Sequence, residues 1–363
     1  MQPTNFTIGS TGTYSFTVNN IGTLGTSGTI TVTDTLPTGL TVNGGAAGAV
    51  TLSGTNAANW SCNSNSATPQ VITCTSSTAI AVSGSSNFTF NVNVGNAVAS
   101  SLTNNVTVSG GSEPVANNGN NSASDVVTIS QTSFGSCDSR MYQAISSSGV
   151  TTLNNINNSV NPFVYTPLMS GNIALNAIGY NSSDNFIYGM MQSSNNLIKV
   201  GSAGDMVNLG AITGLPSSSY NSGEFGTDGY YYVFFGNGGN ILYKVDVTTR
   251  TVVSSVSLSP SQASSTISDI AWVSGSLYTV DLTGQLKRIN PSTGAVTNIG
   301  SPSAALTYGA MFGAPNGLFG ADNGGSGFYQ IDLTTGAATK IPSAPVATGN
   351  DGAHCGNANI TFE

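Results

Sequence analysis

Three segments in the second half of the chain repeat one another, and this repetition constrains the fold more than any other feature. Residues 241–253, 285–296 and 327–338 each read as a strand, a turn resembling Asp/Asn-x-x-Thr-Gly, and a second strand. Two further strand-like runs precede each copy, which gives a period of about 40 residues with four strands per unit, the signature of a β-propeller. We therefore predict a β-propeller over residues 137–363.

The two ends of this half each match only part of a repeat. Residues 141–153 match the outer half, whereas residues 351–355 and 359–362 match the inner half. Together they should complete one blade. With the four complete units, this predicts five blades in a ring that the N- and C-terminal strands of the domain close.

The first half has a different composition. Residues 1–130 contain no Lys, Arg or His and only three acids, Asp34, Glu113 and Asp125, so they cannot host acid/base chemistry by His or Lys. Polar and apolar residues alternate in four runs, 13–18, 29–33, 87–94 and 105–108. This period predicts strands with one buried face, and the simplest arrangement is an immunoglobulin-like β-sandwich. Residues 131–136 are predicted to form a short linker.

Four sequence motifs follow one another in the first half. They are residues 33–40, 60–62, 71–74 and 102–109, the last followed by 117–121. In this order they resemble the tandem "conserved repeat" sandwich of bacterial cell-surface proteins, and the second half resembles extracellular propeller domains found beside such sandwiches. The resemblance implies an extracellular location on a bacterial surface.

That repeat opens with a further strand before residues 7–9, and here this strand is missing. The sheet edge beside Phe6 is then bare, covered by upstream residues, or completed by a strand from a neighbouring subunit.

The cysteines suggest one disulfide per domain. Cys62 and Cys74 are 12 residues apart on strands that look adjacent, while Cys137 and Cys355 bracket the second half. We predict the pairs Cys62–Cys74 and Cys137–Cys355. Other connectivities and four free buried thiols are the alternatives.

Charge and hydropathy exclude two classes of partner. The net charge is −8, with 7 Lys and Arg in all, which disfavours nucleic acid and anionic membranes as partners. The apolar runs are too short to insert in a bilayer.

One set of polar residues stands at similar places in successive repeats, just before the apolar inner strand. These residues are Asn176, Glu224, Asp269, Tyr308 and Asp351. In a propeller they would ring one mouth of the channel, and the three carboxylates would repel one another unless a cation or polar ligand compensates them. We predict a ligand site here, for a carbohydrate or for Ca²⁺ held by Glu224, Asp269 and Asp351. The alternative is a solvated polar lining with no ligand.

The sequence offers only one candidate catalytic arrangement, around His354. His354 is the only histidine, and its neighbours Asp351 and Cys355 could form a triad or a Cys–His pair. The alternative is that His354 packs on the closing strand while Cys355 is oxidised. We predict no catalytic residue and no cofactor beyond Ca²⁺.

The predicted function is that of a non-enzymatic surface protein, an adhesin or filament subunit. The sandwich would act as a spacer or assembly module, and the propeller would present a binding surface for a carbohydrate or another surface ligand. The alternative is a propeller hydrolase or lyase that acts on extracellular polysaccharide.

Overall fold

The chain folds into an all-β protein. The structure, a computed structural model, describes residues 5–95, 98–114, 119–147, 149–171, 173–235, 239–262, 267–347 and 349–362. Two complete 3₁₀ turns, Asn43–Gly45 and Ala57–Asn59, lie within these ranges, and no helix in the described residues is long and apolar enough to cross a membrane. The chain divides into two compact units, residues 1–131 and 132–363.

The first unit contains two sheets. Its strands are β1 (Phe6–Thr7), β2 (Thr11–Asn19), β3 (Ile30–Thr35), β4 (Leu40–Thr41), β5 (Gly48–Val50), β6 (Leu52–Ser53), β7 (Ser61–Ser64), β8 (Val71–Ser76), β9 (Ser85–Val94), β10 (Ser101–Gly110) and β11 (Ser122–Ser130). The larger sheet has the order β1-β11-β10-β3-β8-β7-β5. The smaller sheet has the order β2-β9-β4, and β6 also pairs with β9.

The period-two pattern explains how these sheets bury one face. Along β2, Tyr14 and Phe16 point into the core and are buried, whereas the alternating residues Thr13, Ser15 and Thr17 are exposed. The Phe16 ring stacks on Phe88 of β9 at 5.2 Å, and Phe88 contacts Trp60 at 4.7 Å. Because Trp60 immediately precedes β7 of the larger sheet, these aromatic contacts join the two sheets into one core. Residues 117–118 of the fourth sequence motif lie outside the described residues.

Strands of the described residues leave most of the outer edge of β11 unpaired. β1 pairs with β11 in parallel at only two positions, Phe6 with Ile129 and Thr7 with Ser130. Residues 122–128 of β11 pair with β10 on one side, and no described strand pairs with their other side. The predicted gap beside Phe6 therefore corresponds to an open stretch of edge among the described residues.

The second unit contains five four-stranded antiparallel sheets among its described residues. Its strands are β12 (Met141–Ser147), β13 (Val150–Asn157), β14 (Val164–Gly171), β15 (Leu175–Asn181), β16 (Phe186–Met191), β17 (Asn196–Val200), β18 (Met206–Ala211), β19 (Ser222–Phe225), β20 (Tyr231–Phe234), β21 (Ile241–Asp246), β22 (Thr251–Ser257), β23 (Ala271–Val273), β24 (Ser276–Val280), β25 (Leu286–Ile289), β26 (Val296–Ile299), β27 (Tyr308–Ala314), β28 (Gly317–Asp322), β29 (Phe328–Ile331), β30 (Ala338–Lys340) and β31 (Asn350–His354). Sheet 1 is β14-β13-β12-β31, and sheets 2 to 5 are β15–β18, β19–β22, β23–β26 and β27–β30.

The inner strands of the five sheets contact one another in a closed circuit. β31 contacts β15, β15 contacts β19, β19 contacts β23, β23 contacts β27, and β27 contacts β31. Small residues allow this close approach, since a Cβ on Gly352 would lie 2.6 Å from the Met311 carbonyl oxygen. Sequential antiparallel sheets packed in this way make a propeller-like fold.

The closing sheet joins the two ends of this unit. β12 pairs with β31 from Met141 opposite His354 to Ile145 opposite Asn350. This confirms the prediction that the two ends of the unit contribute strands to one sheet. Residues 359–362, predicted to belong to its inner half, lie outside any strand, although Ile360 is buried. The turn between β27 and β28 of sheet 5 holds the backbone of this segment. The Asn316 side chain donates to the Ile360 carbonyl oxygen and accepts the Ile360 N–H.

Both predicted disulfides are present. Cys62–Cys74 links directly opposed residues of β7 and β8, and Cys137–Cys355 links the start of the second unit to the residue after β31. None of the four cysteines is free. Two disulfides are typical of a non-cytoplasmic protein, because the cytoplasm keeps thiols reduced.

Most of the predicted linker packs on the second unit. Phe134 is buried, with its ring 4.6 Å from that of Tyr142. Its N–H donates to the Asn185 carbonyl at 2.8 Å, and the Ser202 N–H donates to the Thr132 carbonyl at 2.8 Å. Residues 132–136 are therefore part of the second unit rather than a free linker.

Candidate functional site

Three of the five predicted site residues come together at the inner strands of the second unit. Asp351 lies on β31, Glu224 lies on β19, and Asp269 lies two residues before β23. Their side chains are 0%, 3% and 0% exposed. This placement differs from the predicted channel mouth, because the carboxylates are enclosed by protein and not by solvent.

Backbone N–H groups surround the two aspartates. Asp269 accepts the N–H of Ile270 at 2.7 Å and the N–H of Met311 at 2.6 Å. Asp351 accepts the N–H of Gly352 at 2.9 Å and the N–H of Ile178 at 2.6 Å. One carboxylate oxygen of each aspartate therefore accepts the N–H of the following residue, and the other oxygen accepts an N–H on the inner strand of the next sheet.

Glu224 repeats this arrangement at a third junction. Its Oε1 accepts the N–H of Phe225 at 2.8 Å, and the carboxylate also accepts the backbone N–H of Trp272 in the next sheet. Burial raises the pKa of Glu224 well above its ordinary value, and the nearby Asp269 charge raises it further.

Asp269 and Asp351 form a directly interacting pair. Burial raises the pKa of both groups well above the ordinary aspartate value, and a side-chain hydrogen bond joins them. Two carboxyl groups in a dry site can make such a bond only when one of them carries a proton. We therefore expect the pair to keep a proton to a higher pH than an ordinary aspartate does.

Each of the five junctions between neighbouring sheets has at least one side-chain to backbone hydrogen bond to an inner strand, and at the junction of sheets 2 and 3 the side chain comes from β20. The bonds are Asp351 with Ile178 N–H (sheets 1 and 2), Tyr231 hydroxyl with Ala177 carbonyl (sheets 2 and 3), Glu224 with Trp272 N–H (sheets 3 and 4), Asp269 with Met311 N–H (sheets 4 and 5) and His354 with Gly313 carbonyl (sheets 5 and 1). These side chains therefore fasten the closed circuit of inner strands together.

Asn176 and Tyr308 have different roles from the carboxylates. Asn176 is half-buried, and its Oδ1 accepts the N–H of Ala177 at 3.0 Å. Tyr308 is buried with its ring 5.8 Å from Tyr329, and its hydroxyl has no hydrogen-bond partner among the described residues. The predicted set of five thus divides into three interacting carboxylates and two residues that serve their own sheets.

The Ca²⁺ role of Glu224, Asp269 and Asp351 stays a prediction. Calcium takes six to eight oxygen ligands, whereas both oxygens of Asp269 and of Asp351 already accept backbone N–H groups. No group of three or more His, Cys, Asp or Glu in the described part of the chain has the arrangement of a metal site. Melting curves in calcium and in chelator test the prediction directly.

His354 does not share a reacting centre with its sequence neighbours. Its Nδ1 lies 3.0 Å from the Gly313 carbonyl oxygen, so Nδ1 carries the proton, and its Nε2 has no partner among the described groups. Cys355 is in the disulfide, and Asp351 bonds backbone N–H groups. Burial lowers the pKa of His354 to about 4.

The lowered pKa of His354 predicts that acid destabilises the junction between sheets 5 and 1. Since the folded pKa of about 4 lies below the ordinary value of 6.5, the unfolded state binds the proton more readily, and stability falls as the pH falls from 6.5 to 4. Across that pH window, the free energy of unfolding of the native protein should fall by roughly 3 kcal/mol more than that of His354→Gln. Urea unfolding of both proteins at several pH values measures the difference, and parallel curves would contradict the expectation.

A second polar cluster lies in the first unit, and the sequence analysis missed it. It consists of Tyr14 on β2, Asp34 on β3, Asn104 on β10 and Asp125 on β11, and we name it the buried polar cluster. Tyr14, Asp34 and Asn104 are at most 1% exposed, and Asp125 is 9% exposed. A signal was available, because Asp34 continues the inward series of Ile30 and Val32, a register that otherwise buries apolar residues.

The polar groups of this cluster are only partly satisfied by hydrogen bonds. The Tyr14 hydroxyl and one Asp125 oxygen have no partner within the described part of the chain, while Asp34 interacts with the Asn104 side chain. Burial raises the pKa of Asp34 to about 7, and the neighbouring Asn104 lowers it in part. Burial and the charges of Asp34 and Asp125 raise the pKa of Tyr14.

A groove of about 680 Å³ is lined by residues that stand two positions along the chain from the members of this cluster. Its apolar lining includes Phe16, Val18, Ile30, Val32, Ile80, Val106 and Val108, and it extends to the start of β11 at residues 122–123. The groove therefore follows the same part of the first unit in which β11 has an unpaired edge.

The second unit thus belongs to the class of propeller-like all-β proteins. Residues 141–357 match the family described as "Repeat of unknown function (DUF6923)". Since the match spans more than half of the chain, this protein belongs to that family. No curated protein matches the sequence.

Several solved structures are similar to this chain at low identity. Virginiamycin B lyase from Staphylococcus aureus is 17% identical over 58% of this chain and 72% of that one, with a TM-score of 0.37. A chain of the nidogen/laminin complex is 10% identical over 59% and 97%, with a TM-score of 0.38. Glutaminyl cyclase from Myxococcus xanthus is 15% identical over 47% and 77%, with a TM-score of 0.36. These likenesses assign no activity to this chain.

Proposed function

We propose that this chain is a non-enzymatic part of a bacterial cell-surface protein, an adhesin or filament subunit, and that its first unit is an assembly module. The observation that carries the proposal is the side of β11 at residues 122–128, with which no strand of the described residues pairs. An unpaired edge presents backbone N–H and carbonyl groups to an incoming strand. A strand from a neighbouring subunit would complete the sheet.

The backbone of β11 indicates which of its residues would pair with an added strand. The Ser130 carbonyl accepts the N–H of Ile8 beside β1, whereas the Ile129 N–H donates to the Ser100 carbonyl on the β10 side. Because neighbouring residues of a strand alternate their backbone groups, Ser124, Val126 and Thr128 direct theirs to the open side. The edge strand carries no Lys or Arg that would discourage pairing.

We assign the two units separate roles in this proposal. The first is an immunoglobulin-like sandwich, in keeping with its two facing sheets and its resemblance to surface repeats. The second is a five-bladed propeller, in keeping with its five sheets and the closed circuit of inner strands. The propeller presents the ligand-binding surface, and a glycan array run beside a panel of polysaccharide hydrolase and lyase assays tests that role against an enzymatic one.

The strand-addition proposal is tested at Val126, which faces solvent on the edge strand. Val126→Pro removes one N–H on the open side and leaves the β10 pairing groups in place, whereas Val126→Thr retains the N–H. Native protein should bind a fluorescent eight-residue peptide of alternating Val and Thr, Val126→Thr should bind it equally, and Val126→Pro at least tenfold more weakly.

Light scattering at high concentration gives an independent measurement of assembly. Strictly monomeric protein that also binds no extended peptide would show that the first unit is only a spacer. Equal binding by native protein and Val126→Pro would show that the peptide lies elsewhere.

A further inference from the structure

We propose that Asp34 is a proton switch in the core of the first unit: its protonated form stabilises the packed sheets, and its ionised form weakens them. The proposal concerns the response of this unit to pH and is independent of the assembly role above. Two observations carry it, the apolar surroundings of this carboxyl group and the lack of any cationic side chain in residues 1–130.

Apolar side chains flank Asp34 along its own strand and on both neighbouring strands. Asp34 continues the inward series of Ile30 and Val32 on β3, and all three residues are at most 3% exposed. In the sheet, Asp34 lies opposite Ile72 of β8 on one side and opposite Val106 of β10 on the other. Because directly opposed residues are close neighbours on one face of a sheet, the carboxyl group lies in an apolar part of the core.

The amide of Asn104 compensates the ionised form of Asp34 only in part. Asn104 is fully buried and lies on the inward face of β10, two residues before Val106. Its side chain interacts with that of Asp34 and favours the carboxylate. A neutral amide cannot replace the hydration that an ionised carboxylate has in water, so burial of the charge remains costly.

The titratable groups that face Asp34 provide no positive charge. Tyr14 on β2 and Asp125 on β11 belong to the same buried polar cluster, and the charges of Asp34 and Asp125 help to raise the pKa of Tyr14. The strands paired with β3 are β8 and β10, and their one titratable residue, Cys74, is in a disulfide. Ionisation of Asp34 therefore places an uncompensated negative charge in the core.

This environment makes the stability of the first unit depend on pH. Burial raises the pKa of Asp34 from 3.8 to about 7. Since the folded value lies above the unfolded one, the native state holds a proton that the unfolded chain releases. The resulting stabilisation is complete below pH 3.8, is lost as the pH rises toward 7 and does not return at higher pH. Mild acid should therefore stabilise the first unit, the opposite of the effect predicted for His354 in the second unit.

Urea unfolding of the full-length protein between pH 4.5 and pH 8 tests the proposal. The chain has two tryptophans, so a Trp272→Phe background leaves Trp60 as the reporter of the first unit. Trp60 is buried against Phe88, with the rings 4.7 Å apart, and its fluorescence follows the loss of the core. We expect the urea midpoint of this unit to fall by about 1–2 M between pH 4.5 and pH 7.5 and to change little above that range.

Three further variants in the same background assign the effect to Asp34. Asp34→Asn removes the titrating group at nearly constant size, so its urea midpoint should be nearly constant over this pH range. Asn104→Ala removes the partial compensation of the carboxylate, so the fall in stability should extend to higher pH than in the parent protein. Glu113→Gln removes an exposed acid of the same unit and should retain the parent profile.

Parallel pH profiles for the parent protein and a folded Asp34→Asn variant would overturn the proposal. If circular dichroism shows that Asp34→Asn does not fold, Asn104→Ala decides the matter. A fall in stability that reaches higher pH in Asn104→Ala supports the switch, and a profile with the same midpoint pH as the parent protein overturns it.

Discussion

Asp269→Ala should lower the free energy of unfolding of the second unit by about 3–5 kcal/mol. The substitution leaves the N–H groups of Ile270 and Met311 without their acceptor in a fully buried site. It also removes the partner of Asp351 and the hydrogen bond that joins the inner strands of sheets 4 and 5. Urea unfolding followed by tryptophan fluorescence measures the loss, since Trp272 lies on β23 beside this junction.

Asp332→Ala is the matched control. Asp332 also accepts two backbone N–H groups, those of Thr334 and Thr335, each at 2.8 Å, but its turn is exposed to solvent. Water can replace the lost acceptor there, so the expected loss is much smaller than that of Asp269→Ala. Equal losses in the two variants would show that the buried carboxylates do not fasten the inner strands.

Asp269→Asn tests the shared proton. Because burial raises the folded pKa values of Asp269 and Asp351 above the ordinary 3.8, the native state holds a proton that the unfolded state releases. The stabilisation from this proton is complete below about pH 4 and is lost as the pH rises toward the folded pKa values. The Asn variant should show a flatter dependence of stability on pH above 4.

Removal of the Cys137–Cys355 disulfide should have a comparably large effect on the second unit. The bond joins residues 218 apart in sequence and holds the two ends of the unit beside sheet 1. In the chain-entropy model a loop of this length contributes about 5 kcal/mol, because the cross-link restricts the unfolded chain. Cys137→Ala with Cys355→Ala should therefore lower the melting temperature of the second unit strongly in thermal unfolding followed by calorimetry.

The Cys62–Cys74 pair provides the internal comparison. It closes a loop with a separation of only 12 residues, for which the same model gives about 3 kcal/mol. The paired alanine variant should destabilise the first unit and leave the second unit unchanged. An unchanged melting temperature after loss of Cys137–Cys355 would mean that sheet pairing alone closes the second unit.

The sequence by itself determined the all-β class of fold, and it predicted the cysteine pairs that the structure contains. Alternating residues such as 13–18 produce strands because a half-buried strand has a period of two, and this holds whatever the strand pairs with. The repeats at 241–253, 285–296 and 327–338 indicate one structural unit used several times. The complementary partial repeats at 141–153 and 351–355 also predicted the shared sheet, because each lacks the strands that the other provides.

The tertiary structure alone decided what the polar residues do. Glu224, Asp269 and Asp351 stand at equivalent places in the sequence, but their environment depends on the backbone N–H groups of the next sheet, which no local pattern specifies. The buried polar cluster depends on the register that sets Asn104 opposite Asp125 and brings Asp34 beside them. Strand register and burial arise from contacts between distant segments, so the chemistry of both sites appears only after the chain has folded.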